Sequence, residues 1–199
     1  MNDVFGLILA GGRSSRMGVD KGLLDYRGKP HREVLHDVLA PHCARVFISV
    51  SAAQTQSPGY AYFVDNPAYE TSPMGALLTA HEQHPDVGWF VLSCDLAFFD
   101  AECARAPIAA RDVSTAGTAF RIAELNQPEP LATIYEAAFV QTLPEVYHGG
   151  ERSLRRALHR AGATLLSEPA GACVESVDTR EAYERARREL EGKRAAARD

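Results

Sequence analysis

The sequence predicts an α/β fold carried on a largely parallel sheet, and three observations predict it. Continuous apolar runs of strand length, at Val4 to Ala10, Arg45 to Ser51 and Gly88 to Ser93, read as strands buried on both faces. Helix-forming stretches alternate with them, as parallel crossovers require. The first run breaks at Gly11-Gly12, where open α/β sheets gather their ligands beyond the strand ends. The chain has 199 residues, 46% apolar and 24% charged, which excludes a disordered polymer and allows one substantial core. Two ordinary domains would need more chain.

Taken in order, Val4 to Ala10 is the first strand, and a Gly/Ser/Arg-rich stretch follows to about Lys21. Leu23 to Tyr26, with Gly28 and Pro30 behind it, reads as a short strand and a turn. A helix is expected from about Arg32 to Leu39, stopped near Pro41. Arg45 to Ser51 is the second strand and Tyr60 to Val64 the third. Pro73 to His84 is helical, because Pro suits an early position and Met74, Leu77, Leu78 and His81 share one stripe. Gly88 to Ser93 is the fourth strand and ends at Cys94-Asp95. Beyond it, Val113 to Phe120 and Leu131 to Tyr135 are strand-like, with a helix from Glu136. Ser153 to Ala161 is helical, Leu154 and Leu158 lying four apart, and Ala163 to Leu166 is a further strand candidate. Asp178-Thr179-Arg180-Glu181 has the form of a capping box, with Asp178 as the cap of a helix to about Glu191. Residues 192–199 prolong that helix or fray. No repeat or linker interrupts the chain, so residues 1–199 are read as one domain.

Charge narrows the function classes. The total is 21 Lys/Arg against 26 Asp/Glu, a net −5, which disfavours nonspecific nucleic-acid binding. Residues 1–33 are nevertheless locally basic, six Lys/Arg against four Asp/Glu, while residues 34–179 carry eight against seventeen. No apolar run spans a bilayer, and Met1-Asn2-Asp3 lacks the positive start of a signal peptide, so a cytoplasmic protein without a membrane partner is expected. Cys43, Cys94, Cys103 and Cys173 form no CxxC pair and are read as reduced core residues.

The densest feature is Leu9-Ala10-Gly11-Gly12-Arg13-Ser14-Ser15-Arg16-Met17-Gly18-Val19-Asp20-Lys21. Glycines let a backbone approach a ligand and offer N–H groups, and Arg13, Arg16 and Lys21 add three cations. These are the parts of a polyphosphate cradle. The Walker and Rossmann glycine spacings are both absent. A solvated surface loop is the plain alternative.

This string resembles the N-terminal signature of the molybdenum cofactor guanylyltransferases, L-x-G-G-x-S-x-R-M-G-x-D-K. Further segments resemble that family in the same order: Asp65 after the third strand, Ser72-Pro73-Met74-Gly75-Ala76-Leu77, Cys94-Asp95, Pro130 to Tyr135, Ser153 to Leu158, and Val177-Asp178-Thr179. The resemblance implies a three-layer Rossmann-like nucleotidyltransferase fold whose central sheet is mostly parallel but mixed. It implies Mg²⁺-dependent transfer of GMP from GTP to molybdopterin or Mo-molybdopterin, with pyrophosphate released and other cofactor-biosynthesis or acceptor molybdoenzyme proteins as further partners. Carried over residue by residue, it places Leu9, Ala10, Gly11, Gly12, Lys21, Ser51, Asp65 and Asp95 at the nucleotide. Arg16, Lys21 and Asp95 become catalytic, and Asp95 and Asp178 metal ligands.

The departures are specific. Asp95-Leu96-Ala97 lacks the family's proline, Ser51 and Asp178 stand where the family has asparagine, and Arg180 replaces a second proline. The related cytidine enzymes tend to carry L-A-A-G, so Gly11 favours a purine. A cytidylyltransferase, another nucleotidyltransferase with a small phosphorylated acceptor, and an inactive GTP-binding relative are the alternatives. Each residue also has a structural reading: Asp95 as a turn or cap residue, Asp178 as a helix cap, Asp65 as a turn residue before Asn66-Pro67. His81 and His84 read as a partly buried face, Cys94 as a core thiol, and Arg152, Arg155 and Arg156 as a solvated helix face or contacts to an anionic pterin phosphate.

Overall fold

The computed structural model describes residues 3–11, 20–167 and 172–196. A seven-stranded sheet forms the middle layer: β1 (Val4–Leu9), β2 (Val46–Val50), β3 (Ala61–Val64), β4 (Gly88–Ser93), β5 (Gly117–Ile122), β6 (Gln127–Tyr135) and β7 (Thr164–Leu166). Their spatial order is β3-β2-β1-β4-β6-β5-β7. The first four run parallel, β5 and β7 pair parallel, and β6 runs antiparallel to both β4 and β5. The sheet is therefore mixed, as expected.

Strand periodicity divides the core between two faces. Leu7, Trp89 and Val91 point to one face, under α2 (Pro73–Gln83). That face also receives the short helices α4 (Ala137–Val140), α5 (Leu143–His148) and α6 (Leu154–Ala161). Ile8, Phe90 and Leu92 point to the other, under α1 (His31–Leu39) and α3 (Ala101–Ala109). The last helix, α7 (Arg180–Ala196), packs Ala186 and Leu190 on Tyr26, Phe98 and Val177. Among the described residues no helix is long and apolar enough to cross a membrane.

Several elements depart from the sequence reading. The Leu23 to Tyr26 strand does not form. A 3-10 turn spans Lys21–Leu23, because the Asp20 carboxylate accepts from the Gly22 N–H at 2.9 Å. The Asp25 side chain then accepts from the N–H groups of Arg27 and Gly28, and only an isolated bridge joins Asp25 to Pro30. Helix α3 was not expected, since AECARAPIA is weakly apolar and contains Pro107. Asp100 nonetheless starts it, accepting from the N–H groups of Glu102 (2.9 Å) and Cys103 (3.0 Å). The strand expected at Val113 begins at Gly117, because Asp112 turns the chain by binding Ser114. Strand β6 begins earlier than expected, at Gln127. Its prolines at 128 and 130 lie beyond the last β4 pairing, Leu92 with Ala132, where no ladder N–H is needed on that side. The helix from Glu136 is two short ones. Glu136 itself is buried and takes both Arg111 Nε and Nη2 at 2.7 Å in a two-point ion pair.

The expectation of four reduced cysteines is corrected. Cys103 and Cys173 form a disulfide, with Cα atoms 5.8 Å apart and a sequence separation of 70. Spacing along the chain hid a contact that only the folding of residues 172–175 onto α3 creates. Cys43 and Cys94 are free thiols. A cross-link of that loop length stabilises by about 2–4 kcal/mol. Reductant should therefore lower the melting temperature by roughly 5–15 °C in a chain of this size. The Cys103→Ser/Cys173→Ser double variant should melt low with or without reductant. Equal melting of native chain and double variant under oxidising conditions would show that the cross-link contributes nothing.

Candidate functional site

The carboxyl ends of β1 to β4 meet at one edge, and backbone hydrogen bonds fix their relative heights. The Ala10 N–H donates to the Ser49 carbonyl at 2.9 Å, the Asp65 N–H to the Val50 carbonyl at 2.9 Å, and the Cys94 N–H to the Leu9 carbonyl at 3.2 Å. Leu9, Gly11, Ser49, Asp65, Ser72 and Ser93 line a cleft of about 130 Å³ there. The sequence places these residues far apart; the parallel register gathers them.

Gly11 and Asp65 face each other. A methyl group on Gly11 would overlap the Asp65 Oδ2 and stand 3.3 Å from the Ser51 nitrogen. Only glycine admits that carboxylate at this point. Asp65 Oδ1 accepts from the buried Ser49 hydroxyl, so the carboxylate is held as well as admitted. Burial pushes the Asp65 carboxyl above its usual range, and the Ser49 hydrogen bond opposes this. Ser49 was missed by sequence reasoning, because it reads as one more residue of an apolar strand.

Ser51 follows β2 at the same edge. Its N–H donates to Gln54 Oε1 at 2.7 Å and is already engaged. Gln54 Nε2 in turn donates to the Ala10 carbonyl at 2.8 Å and to Asp20 Oδ2 at 2.7 Å. Asp20 belongs to the glycine-rich signature, but Gln54 has no mark in the sequence.

A second group sits at the end of β4. Lys21 Nζ and Asp178 Oδ1 are 2.5 Å apart, a pair separated by 157 residues in sequence. The Val177 N–H donates to the main-chain carbonyl of Asp95 at 2.8 Å, which docks the Asp178 segment against β4. The Asp95 Oδ1 is buried with no hydrogen-bond partner. Burial raises the Asp95 carboxyl from its usual value; Ser93 and Lys21 pull it down, and Asp178 pushes it further up. Asp178 was expected to cap the last helix. That cap is Thr179 instead, whose hydroxyl accepts from the Ala182 N–H at 3.2 Å, and Asp178 is left to face Lys21. Lys21 and Asp178 are thus in contact, and Asp95 is near enough to feel both charges. Gly12 and Arg16 lie outside the described residues, as does Arg13.

The His84 ring packs edge-on against Phe5 at 5.2 Å and lies near Phe47 and Trp89. Cys94 is a buried thiol, and burial pushes its ionisation far up, which excludes a resting thiolate. Arg152 is engaged by Glu70 and the Tyr147 carbonyl, and Arg156 by Glu151. Arg155 borders a hollow of about 560 Å³ with Arg121, but Glu124, Glu129 and Glu175 line it too, an arrangement unsuited to a phosphate.

A hard divalent cation suits the Asp95 and Asp178 pair. The unpartnered buried Oδ1 of Asp95 is an acceptor in want of a partner, and carboxylate oxygen is the ligand such an ion prefers. Among the described residues no three His, Cys, Asp or Glu side chains converge. An ion held by two carboxylates fills its other positions with phosphate oxygens and water.

The model of the MobA-like NTP transferase domain matches residues 6–164. A molybdenum cofactor guanylyltransferase of Pseudomonas putida is 31% identical over 176 residues, covering 85% of this chain and 87% of that one. The molybdenum cofactor biosynthesis bifunctional protein of Synechocystis sp. is 31% identical over 166 residues, covering 82% of this chain and 48% of that protein; the chain spans about half the length of this relative. Among solved structures, molybdopterin-guanine dinucleotide biosynthesis protein A from Archaeoglobus fulgidus superposes with a TM-score of 0.72 at 14% identity, covering 94% and 99% of the two chains, a likeness of fold.

Proposed function

Because the chain belongs to the family of MobA-like NTP transferase domains and is a nucleotidyltransferase, we propose that it transfers GMP from GTP to molybdopterin or its molybdenum-bearing form, releasing pyrophosphate. The observation that carries this reading is the convergence at one sheet edge of Gly11 against Asp65 and of Lys21 against Asp178 and Asp95. A nucleoside site and a charge-neutralising site then lie side by side, as a nucleoside triphosphate requires.

In this reading an oxygen of the acceptor's terminal phosphate bonds to the α-phosphorus of GTP. The bond from that phosphorus to the α,β-bridging oxygen breaks, and pyrophosphate leaves with the electrons. Positioning and charge neutralisation supply the rate. Leu9 and Ala10, their main chain engaged by Cys94, Ser49 and Gln54, set the floor, and Gly11 and Gly12 bring the backbone to the nucleotide. Lys21 and Arg16 meet the charge that builds on the phosphates. Asp65, fixed by Ser49, accepts hydrogen bonds from the nucleoside. Guanine presents adjacent N1–H and N2–H donors to such a carboxylate, which favours GTP. Asp95 and Asp178 would hold Mg²⁺, which when bound neutralises phosphate charge and orients the oxygens.

The test is pyrophosphate release with molybdopterin and Mg²⁺ present, comparing GTP, CTP and ATP. GTP should exceed both others by at least about a hundredfold in kcat/KM, since a site built on hydrogen bonds rejects a base that cannot make them. A CTP preference would replace this reading by a cytidylyltransferase. Tight GTP binding by calorimetry without turnover would replace it by a non-catalytic nucleotide binder.

A further inference from the structure

Gln54 occupies the loop after β2 and is half-buried. Its one amide meets three separate stretches of chain. Nε2 donates to the Ala10 carbonyl at 2.8 Å, immediately before Gly11, and to Asp20 Oδ2 at 2.7 Å, immediately before Lys21. Oε1 accepts from the Ser51 N–H at 2.7 Å. Asp20 uses its other oxygen to cap the turn that carries Lys21, accepting from the Gly22 N–H at 2.9 Å. A neutral side chain with two donors and an acceptor at one end is what these partners need: two oxygens on one side, an N–H on the other.

The loop bearing Gln54 is itself anchored. Arg32 is fully buried, and its Nη2 donates to the Thr55 carbonyl at 2.8 Å and to the Ser57 hydroxyl at 3.4 Å. Its guanidinium lies 5.7 Å from the centre of the Tyr62 ring, and the Tyr62 hydroxyl accepts from the Ser57 N–H at 2.8 Å. Helix α1 and strand β3 therefore hold the loop from below, while Gln54 reaches forward from it. Gly22 is close enough to Arg32 that an added methyl would touch the Arg32 Cδ at 3.3 Å, so the Lys21 turn rests on the same support.

We propose that Gln54 is a positioning residue for the transfer reaction: it fixes the Lys21 turn and the Gly11 backbone relative to each other, and so sets where the Lys21 ammonium stands over the nucleotide site. The inference rests on the reading of Lys21 as the cation that neutralises phosphate charge. Gln54 makes no contact with substrate in this assignment; it acts through Asp20 and Ala10.

Two substitutions separate positioning from packing. Gln54→Leu keeps the bulk and deletes all three hydrogen bonds. Gln54→Glu keeps the acceptor for the Ser51 N–H and sets an oxygen against the Ala10 carbonyl and the Asp20 carboxylate. Both are expected to lower kcat by about 10- to 100-fold, the effect of misplacing a catalytic group by an ångström or less, with a smaller change in KM for the nucleotide. The Asp20 charge raises the affinity of the introduced carboxyl for a proton, and the protonated acid regains one donor. The kcat of Gln54→Glu relative to native should thus recover as pH falls from about 8 to about 6, while the Gln54→Leu ratio stays flat. Native-like kcat in both variants, or equal losses with both ratios flat, would overturn the proposal. Lys21→Ala measured alongside separates the two levels. If that variant is fully active, the reading of Lys21 fails; if it is impaired while both Gln54 variants are active, only the positioning role fails.

Discussion

Asp95→Asn is expected to lower turnover by about a thousandfold while raising the melting temperature at neutral pH. The two effects have one cause. Asp95 ends β4 with a buried carboxylate oxygen that no hydrogen bond satisfies, and burial raises its carboxyl above the usual value. The folded chain then keeps a proton on Asp95 at pH values where the unfolded chain has lost it. The stability this group contributes is present below the unfolded value and is lost as pH rises through the raised folded value. At neutral pH the ionised carboxylate is a net cost to folding, and the amide removes it. The heat-stability gain of Asp95→Asn should disappear in acid, where both side chains are neutral. Native kcat/KM should fall as pH drops through the raised carboxyl value, above the ordinary range near 3.9. Calorimetric melting from acid to neutral pH, together with initial rates at several Mg²⁺ concentrations, measures all three. Unchanged turnover and Mg²⁺ dependence would remove Asp95 from the site.

Lys21→Ala is expected to lower kcat by about 10²- to 10³-fold, with a stability change below about 1 kcal/mol. The Lys21–Asp178 pair is partly solvated, with side-chain exposures of 20% and 47%, so breaking it costs little in folding. Its value in the proposed reaction lies in charge that develops on the leaving pyrophosphate, which only a positioned cation meets. Lys21 also pulls the Asp95 carboxyl downward, so its removal should move the acid limb of the residual activity to higher pH. Rates across pH and a melting curve decide this. A full-rate Lys21→Ala enzyme, or one that simply unfolds, is the contrary result.

The legibility of these residues followed the range of the interactions that place them. Strands β1, β2 and β4 are uninterrupted apolar runs, and their ends marked Gly11, Ser51 and Asp95 as edge residues before any contact was known. Helix α3 was invisible because its start depends on the Asp100 side chain more than on apolar spacing. The capping-box spacing at 178–181 fits Asp178 with Glu181, yet the hydroxyl of Thr179 caps the helix and Asp178 faces the ammonium of Lys21. Ser49 and Gln54 had no local signature. Ser49 meets Asp65 only through the parallel register of β2 with β3, and Gln54 reaches chain segments 44 and 34 residues away. The Cys103 to Cys173 link belongs with them, a contact between distant segments that spacing alone does not encode.

The 157-residue separation of Lys21 and Asp178 also orders events in time. A chain emerging from the ribosome has β1 to β4, and with them the Gly11 and Asp65 cleft, once about half its residues are out. Asp178 arrives only after β7. Domains fold as units, so in a chain read as one domain the contact of Lys21 with Asp178 can form only when synthesis is nearly finished. The charge-handling half of the proposed site is thus the last part of the edge for which every residue is on hand.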